Sequence, residues 1–148
     1  MNRRAVLAAA AAIPAIALSP AGQAGSKPAR PVQDDLRALI QRQAAQWNAG
    51  DLEGFCAHYG DDAIFLSPSG RTDGRQAAYD RFRKQYGDAV AMGALTLEVL
   101  HVVADSGVAS VVMKWRLAFA LKAPIEGYSL IGLEQRDGVW HGQVIVDI

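Results

Sequence analysis

Cysteine is nearly missing: Cys56 is the only one in 148 residues. One thiol closes no intramolecular disulfide and builds no cysteine-based zinc site. Net charge is missing too, with 15 Lys and Arg against 15 Asp and Glu. That argues against a nucleic-acid binder drawn by bulk charge and against an acidic disordered tail. The apolar run at residues 5–18 is too short to cross roughly 30 Å of hydrocarbon as a helix, and Pro14 interrupts it. No internal repeat or low-complexity tract follows residue 24. The three histidines, His58, His101 and His141, lack the i,i+4 or i,i+2 spacing of ligands on one element. No metal site and no cofactor are expected. What remains is 51% hydrophobic and 20% charged, enough for one globular domain whose core comes from packing alone.

The N-terminus has the three parts of an export signal: the basic start Met1-Asn2-Arg3-Arg4, the mild apolar run, and small residues up to Ala24. Paired arginines before a weakly hydrophobic run resemble a twin-arginine signal. The general secretory route and an uncleaved anchor are the alternatives. No cysteine follows the run for a lipid anchor. The reading is a signal over 1–24 cut after Ala24, a linker over 25–33 with Pro28 and Pro31, and a domain over 34–148. Location would then be periplasmic or secreted, with no stable membrane anchor after cleavage.

Asp34 and Asp35 suit a helix start, where carboxylates meet the positive end of the dipole. Leu36, Leu39, Ile40, Ala44 and Trp47 follow at helical spacing, and Gly50 ends the helix. Asp51 caps a second, short helix with Leu52, Phe55, Cys56 and Tyr59 on one side. Ile64-Phe65-Leu66 is a short strand candidate, followed by the turn Ser67-Pro68-Ser69-Gly70. Asp73 and Gln76 resemble a capping box for a third helix burying Ala78, Tyr79, Phe82 and Tyr86. Four strands are expected over 95–104, 108–122, 128–136 and 139–148, with Asp137-Gly138 as a tight hairpin turn. Three helices before a four-strand meander give an α+β domain with one curved antiparallel sheet.

Trp47-Asn48-Ala49-Gly50-Asp51-Leu52-Glu53-Gly54-Phe55, then Tyr59-Gly60-Asp61-Asp62-Ala63, Pro68, Gly70 and Gly74-Arg75 resemble the SnoaL-like and ketosteroid-isomerase-like group. Arg136-Asp137-Gly138-Val139-Trp140 and Asp147 match that group's last hairpin. The resemblance covers about 34–148 and implies the cone-shaped nuclear transport factor 2-like fold, a bent sheet wrapped on helices with a pocket between. It does not fix an activity, because the fold hosts isomerases, dehydratases, epoxide hydrolases, cyclases and binders.

The steroid isomerases' functional groups are missing residue by residue. Their carboxylate base falls on Ser67, which holds no proton-abstracting charge near neutral pH. Their oxyanion tyrosine falls on Gln43, and their protonated acid, by ungapped alignment from Gly138, on Leu130. For the dehydratase and epoxide hydrolase constellations the nearest candidates are His101, Arg116 and Asp147, which no spacing links.

Asp147, between Val146 and Ile148, is the sharpest candidate. Facing the cone interior it would be a general acid or a polar anchor with a raised pKa. The bland reading is an exposed carboxylate. Tyr59 matches a pocket-side tyrosine of the family, or is only a packing residue. Phe82 stands where some members carry another tyrosine. Trp47, Phe65, Met113, Trp115 and Leu117 are core, cavity wall, or both. Ser129 and Gln143 are polar among apolar neighbours, and either orients a ligand or faces outward. Cys56 is expected as a buried apolar residue. The interleaved Arg71, Arg75, Arg81, Arg83, Lys84 and Asp73, Asp80, Asp88 read as a solvated face.

The favoured expectation is an exported domain binding a small apolar molecule, with Asp147 and Tyr59 at the polar end. Alternatives are a cofactor-independent lyase, isomerase or hydrolase using Asp147, and a homodimeric interaction module. In that module Lys114 and Arg116 would seek Glu98 or Glu134.

Overall fold

The computed structural model describes residues 31–148. The signal reading over 1–24 and the linker reading through residue 30 lie outside the described residues. Helix α1 (Val32–Asn48) begins two residues before Asp34, with Pro31 at its N-cap. Proline's fixed φ suits a helix start, and Asp34 and Asp35 occupy the first turn. Its buried stripe is Leu36, Leu39, Ile40, Gln43, Ala44 and Trp47. Helix α2 (Leu52–Cys56) is capped by Asp51, whose carboxylate accepts from the Gly54 N–H at 2.8 Å.

Tyr59 does not continue α2. It opens strand β1 (Tyr59–Ser67), which is longer than the three residues expected and turns at Pro68-Ser69 into β2 (Gly70–Asp73). Helix α3 (Arg75–Gln85) starts without the expected capping box. Gly74, at φ 89°, holds the N-cap with no side-chain bond. Asp73 instead pairs with Arg71 at 2.7 Å, and Gln76 donates to Asp80 at 3.1 Å. A short helix not expected from sequence, α4 (Ala89–Met92), follows, capped by Asp88 on the Ala91 N–H.

Four long strands complete the chain: β3 (Ala94–Asp105), β4 (Val108–Ala118), β5 (Ile125–Arg136) and β6 (Val139–Asp147). The β5–β6 turn has Asp137 at φ 50° and Gly138 at φ 78°, the two positive dihedrals of a tight hairpin. β4 stops at Ala118 rather than residue 122, where its partner β3 begins at Ala94 and the ladder runs out.

The sheet has six strands in the order β2-β1-β6-β5-β4-β3. It is therefore mixed rather than wholly antiparallel: β1 runs parallel to β6, with Phe65 opposite Ile145. Register slips bend it in three places, beside Tyr59–Ile64, Val99–His101 and Gly132–Leu133. The helices cover one face. Phe65, Leu36, Ile40 and Val111 are among the fully buried side chains at the centre. The other face carries a cross-strand row, Leu66–Val146–Leu130–Val112, in which Leu66 and Leu130 are exposed.

Candidate functional site

The helix-covered face of the sheet and the helices line a cavity of about 130 Å³ that is open to solvent on one side. Each wall follows from a period. On β4 the inward positions are Met113, Trp115 and Leu117; on β5, Ser129 and Ile131; on β6, Ile145 and Asp147. α1 contributes Gln43 and Trp47, one helical turn apart, and α3 contributes Phe82 with Tyr86 just beyond. Strand β1 adds Tyr59 and Phe65.

The rings touch edge-to-face. Tyr59 and Phe65 have centroids 4.8 Å apart, Trp47 and Phe55 5.0 Å, and Trp47 and Tyr86 5.0 Å. Trp47 is locked further, since its indole N–H donates to the Met92 carbonyl at 3.2 Å. That bond ties α1 to α4.

The polar end of the cavity is the pair Ser129 and Asp147. They face each other in the β5–β6 register, and the Ser129 hydroxyl donates to the Asp147 carboxylate. Burial pushes the Asp147 carboxyl above its ordinary pKa. The Ser129 bond and the positive charge of Arg81 oppose that rise. Arg81 is held by the Thr72 hydroxyl at 3.1 Å and lies 5.1 Å from the Phe82 ring centre. Burial also raises the Tyr59 phenol, aided by Cys56 and Asp147 and opposed by a hydrogen bond with Gln43. Tyr86 is raised by burial, with Arg81 opposing.

Nine of the ten cavity candidates named from the sequence line this cavity: Trp47, Tyr59, Phe65, Phe82, Met113, Trp115, Leu117, Ser129 and Asp147. Gln143 does not. The register passes from Gly132–Val144 to Leu133–Gly142, so Gln143 has no counterpart on β5. This extra residue breaks the alternation that would have aligned it with Ile145 and Asp147. Its amide bridges Asp62 (2.9 Å) and Arg136 (3.3 Å) instead.

Leu130, matched to the isomerases' protonated acid, faces outward; the inward neighbour is Ser129. Ser67 lies away from the cavity and bonds Ser69 at 2.8 Å. His101 and Arg116 are exposed on the opposite sheet face, so neither joins Asp147. Within the chain, Lys114 (3.1 Å) and Arg116 (3.9 Å) both pair with Glu126. Burial pushes the Cys56 thiol up to about 12, which leaves no thiolate near neutral pH. His58 bonds Gln46 at 2.5 Å, and burial lowers its pKa.

Gln43 is among the cavity residues that the sequence reading missed, with Phe55, Tyr86, Leu95, Leu97, Ile131 and Ile145. It was noted only as the wrong residue for an oxyanion hole, yet it is 2% exposed and lines the cavity. The signal was a polar residue inside the apolar stripe, four positions from both Leu39 and Trp47.

A bent sheet packed on three principal helices, with a cavity between them, defines a nuclear transport factor 2-like domain. The chain belongs to the SnoaL-like domain family, whose model matches residues 40–141. No curated protein matches it in sequence. Among solved structures it is similar to an NTF-2 like protein of unknown function from Shewanella oneidensis, at 23% identity and TM-score 0.74, covering 79% of this chain and 98% of that one. A domain of unknown function with a cystatin-like fold from Nostoc punctiforme matches at 21% identity and TM-score 0.67, over 78% and 75%. An NTF2-like protein of unknown function from Pseudomonas putida matches at 17% and 0.67, over 78% and 84%. At these identities the likeness speaks for the fold alone.

Proposed function

We propose that this domain binds a small, mostly apolar molecule in the cone cavity, with its polar end at Asp147 and Ser129. The observation that carries the reading is a cavity walled by aromatic and aliphatic side chains whose buried carboxyl is bonded to one hydroxyl. Pockets of this kind take affinity from apolar area and orientation from a few polar groups. Native mass spectrometry of protein purified without added ligand tests it. The expected result is an extra mass that denaturation releases and that a cavity-filling Ser129→Phe variant lacks. Equal retention by both proteins would overturn the cavity as the site.

The raised Asp147 pKa favours a second reading, a cofactor-independent lyase, isomerase or hydrolase with Asp147 as acid or base. It requires a titrating pH–rate profile that Asp147→Asn abolishes. Unchanged turnover in that variant would remove Asp147 from the chemistry.

The apolar row Leu66–Val146–Leu130–Val112, with Leu66 and Leu130 exposed, favours a homodimer through the outer sheet face, independent of the cavity. Light scattering of wild type and Leu130→Lys checks it, a monomer in both counting against. Export rests on residues 1–24 and is tested by N-terminal sequencing of the secreted protein, where an intact Met1 counts against cleavage.

A further inference from the structure

The polar end of the cavity presents lone pairs and lacks a hydrogen to give. An ionised carboxyl has about four lone-pair sites, and the Ser129 hydroxyl fills one of those on Asp147. Among the described residues no other side chain hydrogen-bonds that carboxyl, and no basic side chain forms an ion pair with it. Ser129 has given its one hydroxyl hydrogen to Asp147, so its oxygen has only lone pairs left. Elsewhere on the wall, Gln43 bonds Tyr59 and the Phe55 carbonyl, and the Tyr86 oxygen accepts from Gln85 at 3.1 Å.

The charges around Asp147 leave it without a bonded counter-charge. Tyr59 on β1 and Tyr86 after α3 feel the Asp147 charge, but burial holds both phenols above their ordinary pKa, so they are neutral at pH 7. Arg81 on α3 is the positive charge that acts on Asp147. Its guanidinium bonds the Thr72 hydroxyl and lies over the Phe82 ring, rather than bonding the carboxyl.

Rings make up much of the remaining wall. Tyr59 and Phe65 meet edge-to-face, as do Phe55 and Phe82 with centroids 6.0 Å apart. Aromatic faces attract a cation, and Phe82 already carries one in Arg81. The cavity volume of about 130 Å³ is close to the roughly 150 Å³ of an apolar cavity that takes benzene. The apolar body it suits is therefore one ring rather than a fused polycycle.

We propose that the ligand is a primary amine with a compact apolar body, its ammonium donating to the Asp147 carboxylate and the Ser129 oxygen and its body packed among the rings. This rests on the ligand-binding reading of the cavity and names the class of ligand. An ammonium has three hydrogens to give and no lone pair, the complement of this polar end. An alcohol gives one hydrogen and no charge. A quaternary ammonium has the charge but no N–H, and a carboxylate ligand meets a like charge at Asp147.

The test is calorimetric titration of the full chain at pH 7 with benzylamine, benzyl alcohol and toluene, which share a ring and differ in the head group. The amine is protonated at that pH, as lysine is. Benzylamine should bind at least about tenfold tighter than either other probe. Asp147→Asn should remove most of that advantage and leave toluene binding unchanged. Carboxyl carbon NMR of the wild type gives a second readout: saturating benzylamine should lower the Asp147 midpoint, because a bonded cation favours the ionised form. If Asp147→Asn fails to fold, that midpoint still decides. Benzyl alcohol or toluene binding as tightly, undiminished benzylamine affinity in Asp147→Asn, or an unmoved midpoint overturns the proposal and leaves the cavity reading standing. No binding of any probe overturns both.

Discussion

Ser129 donates its hydroxyl to Asp147 across one rung of the β5–β6 ladder, and both side chains face the cavity. The bond favours the ionised carboxylate, while burial favours the neutral acid. Burial is the larger effect, so the carboxyl sits above its ordinary pKa with the hydroxyl as a partial brake.

Ser129→Ala should therefore raise the Asp147 pKa further. Carboxyl carbon NMR of the two proteins across pH 3–8, a range spanning the ordinary carboxylate value of about 3.9, reads the midpoint directly. An unmoved midpoint would mean that the hydroxyl does not act on the carboxyl.

Asp147 also makes stability depend on pH, with a sign opposite to that of a salt-bridged carboxylate. Its folded pKa is raised, so the folded state holds the proton more tightly than the unfolded chain. Its favourable contribution is complete below the unfolded value of about 3.9 and is lost as pH rises through the folded pKa. Asp147→Asn should be more stable than wild type at pH 7, and the gap should close below about pH 4. Urea midpoints at both pH values check this; a variant less stable at pH 7 would contradict it.

Gly127 has a role that composition does not reveal. A side-chain carbon there would meet the Ile148 carbonyl and fall 2.6 Å from the Trp115 ring. The carbonyl is backbone and cannot swing away, because it accepts from the Tyr128 N–H at 2.9 Å. Gly127→Ala should cost about 1–3 kcal/mol, as overpacking does. It should also change the Trp115 fluorescence. Wild-type melting and an unchanged emission spectrum would show that the ring has room to move.

Much of this was legible from the sequence where a period was unbroken. The stripe of α1 and the alternation of β4 put Trp47, Met113 and Trp115 on the cavity side. The helix-two and last-hairpin segments carried the family resemblance. Legibility failed where one residue changed the phase. Gly74 took the N-cap that Asp73 was expected to hold. The unmatched Gln143 on β6 broke that strand's alternation. The parallel pairing of β1 with β6 is a contact across some eighty residues, which no local pattern encodes. The need for glycine at 127 is likewise set by a neighbouring strand, through the Trp115 ring that packs on it.

The two glutamines separate the local reading from the observed one. Gln43, read as the loss of a catalytic group, is buried in the cavity wall. It donates to the Phe55 carbonyl at 3.4 Å and hydrogen-bonds Tyr59. Gln143, read as a ligand contact, holds Asp62 and Arg136 at the bulge. Methionine matches glutamine in length and has no amide. Gln43→Met should leave buried partners unsatisfied, cost about 1–3 kcal/mol, and alter the binding of any cavity ligand. Gln143→Met loses bonds at a partly exposed ion pair, so it should cost about 1 kcal/mol or less and leave ligand affinity unchanged. Thermal melts and titration with benzylamine on both variants make the comparison. A loss of affinity in Gln143→Met matching that in Gln43→Met would move the ligand out of the cone and onto the β6 bulge.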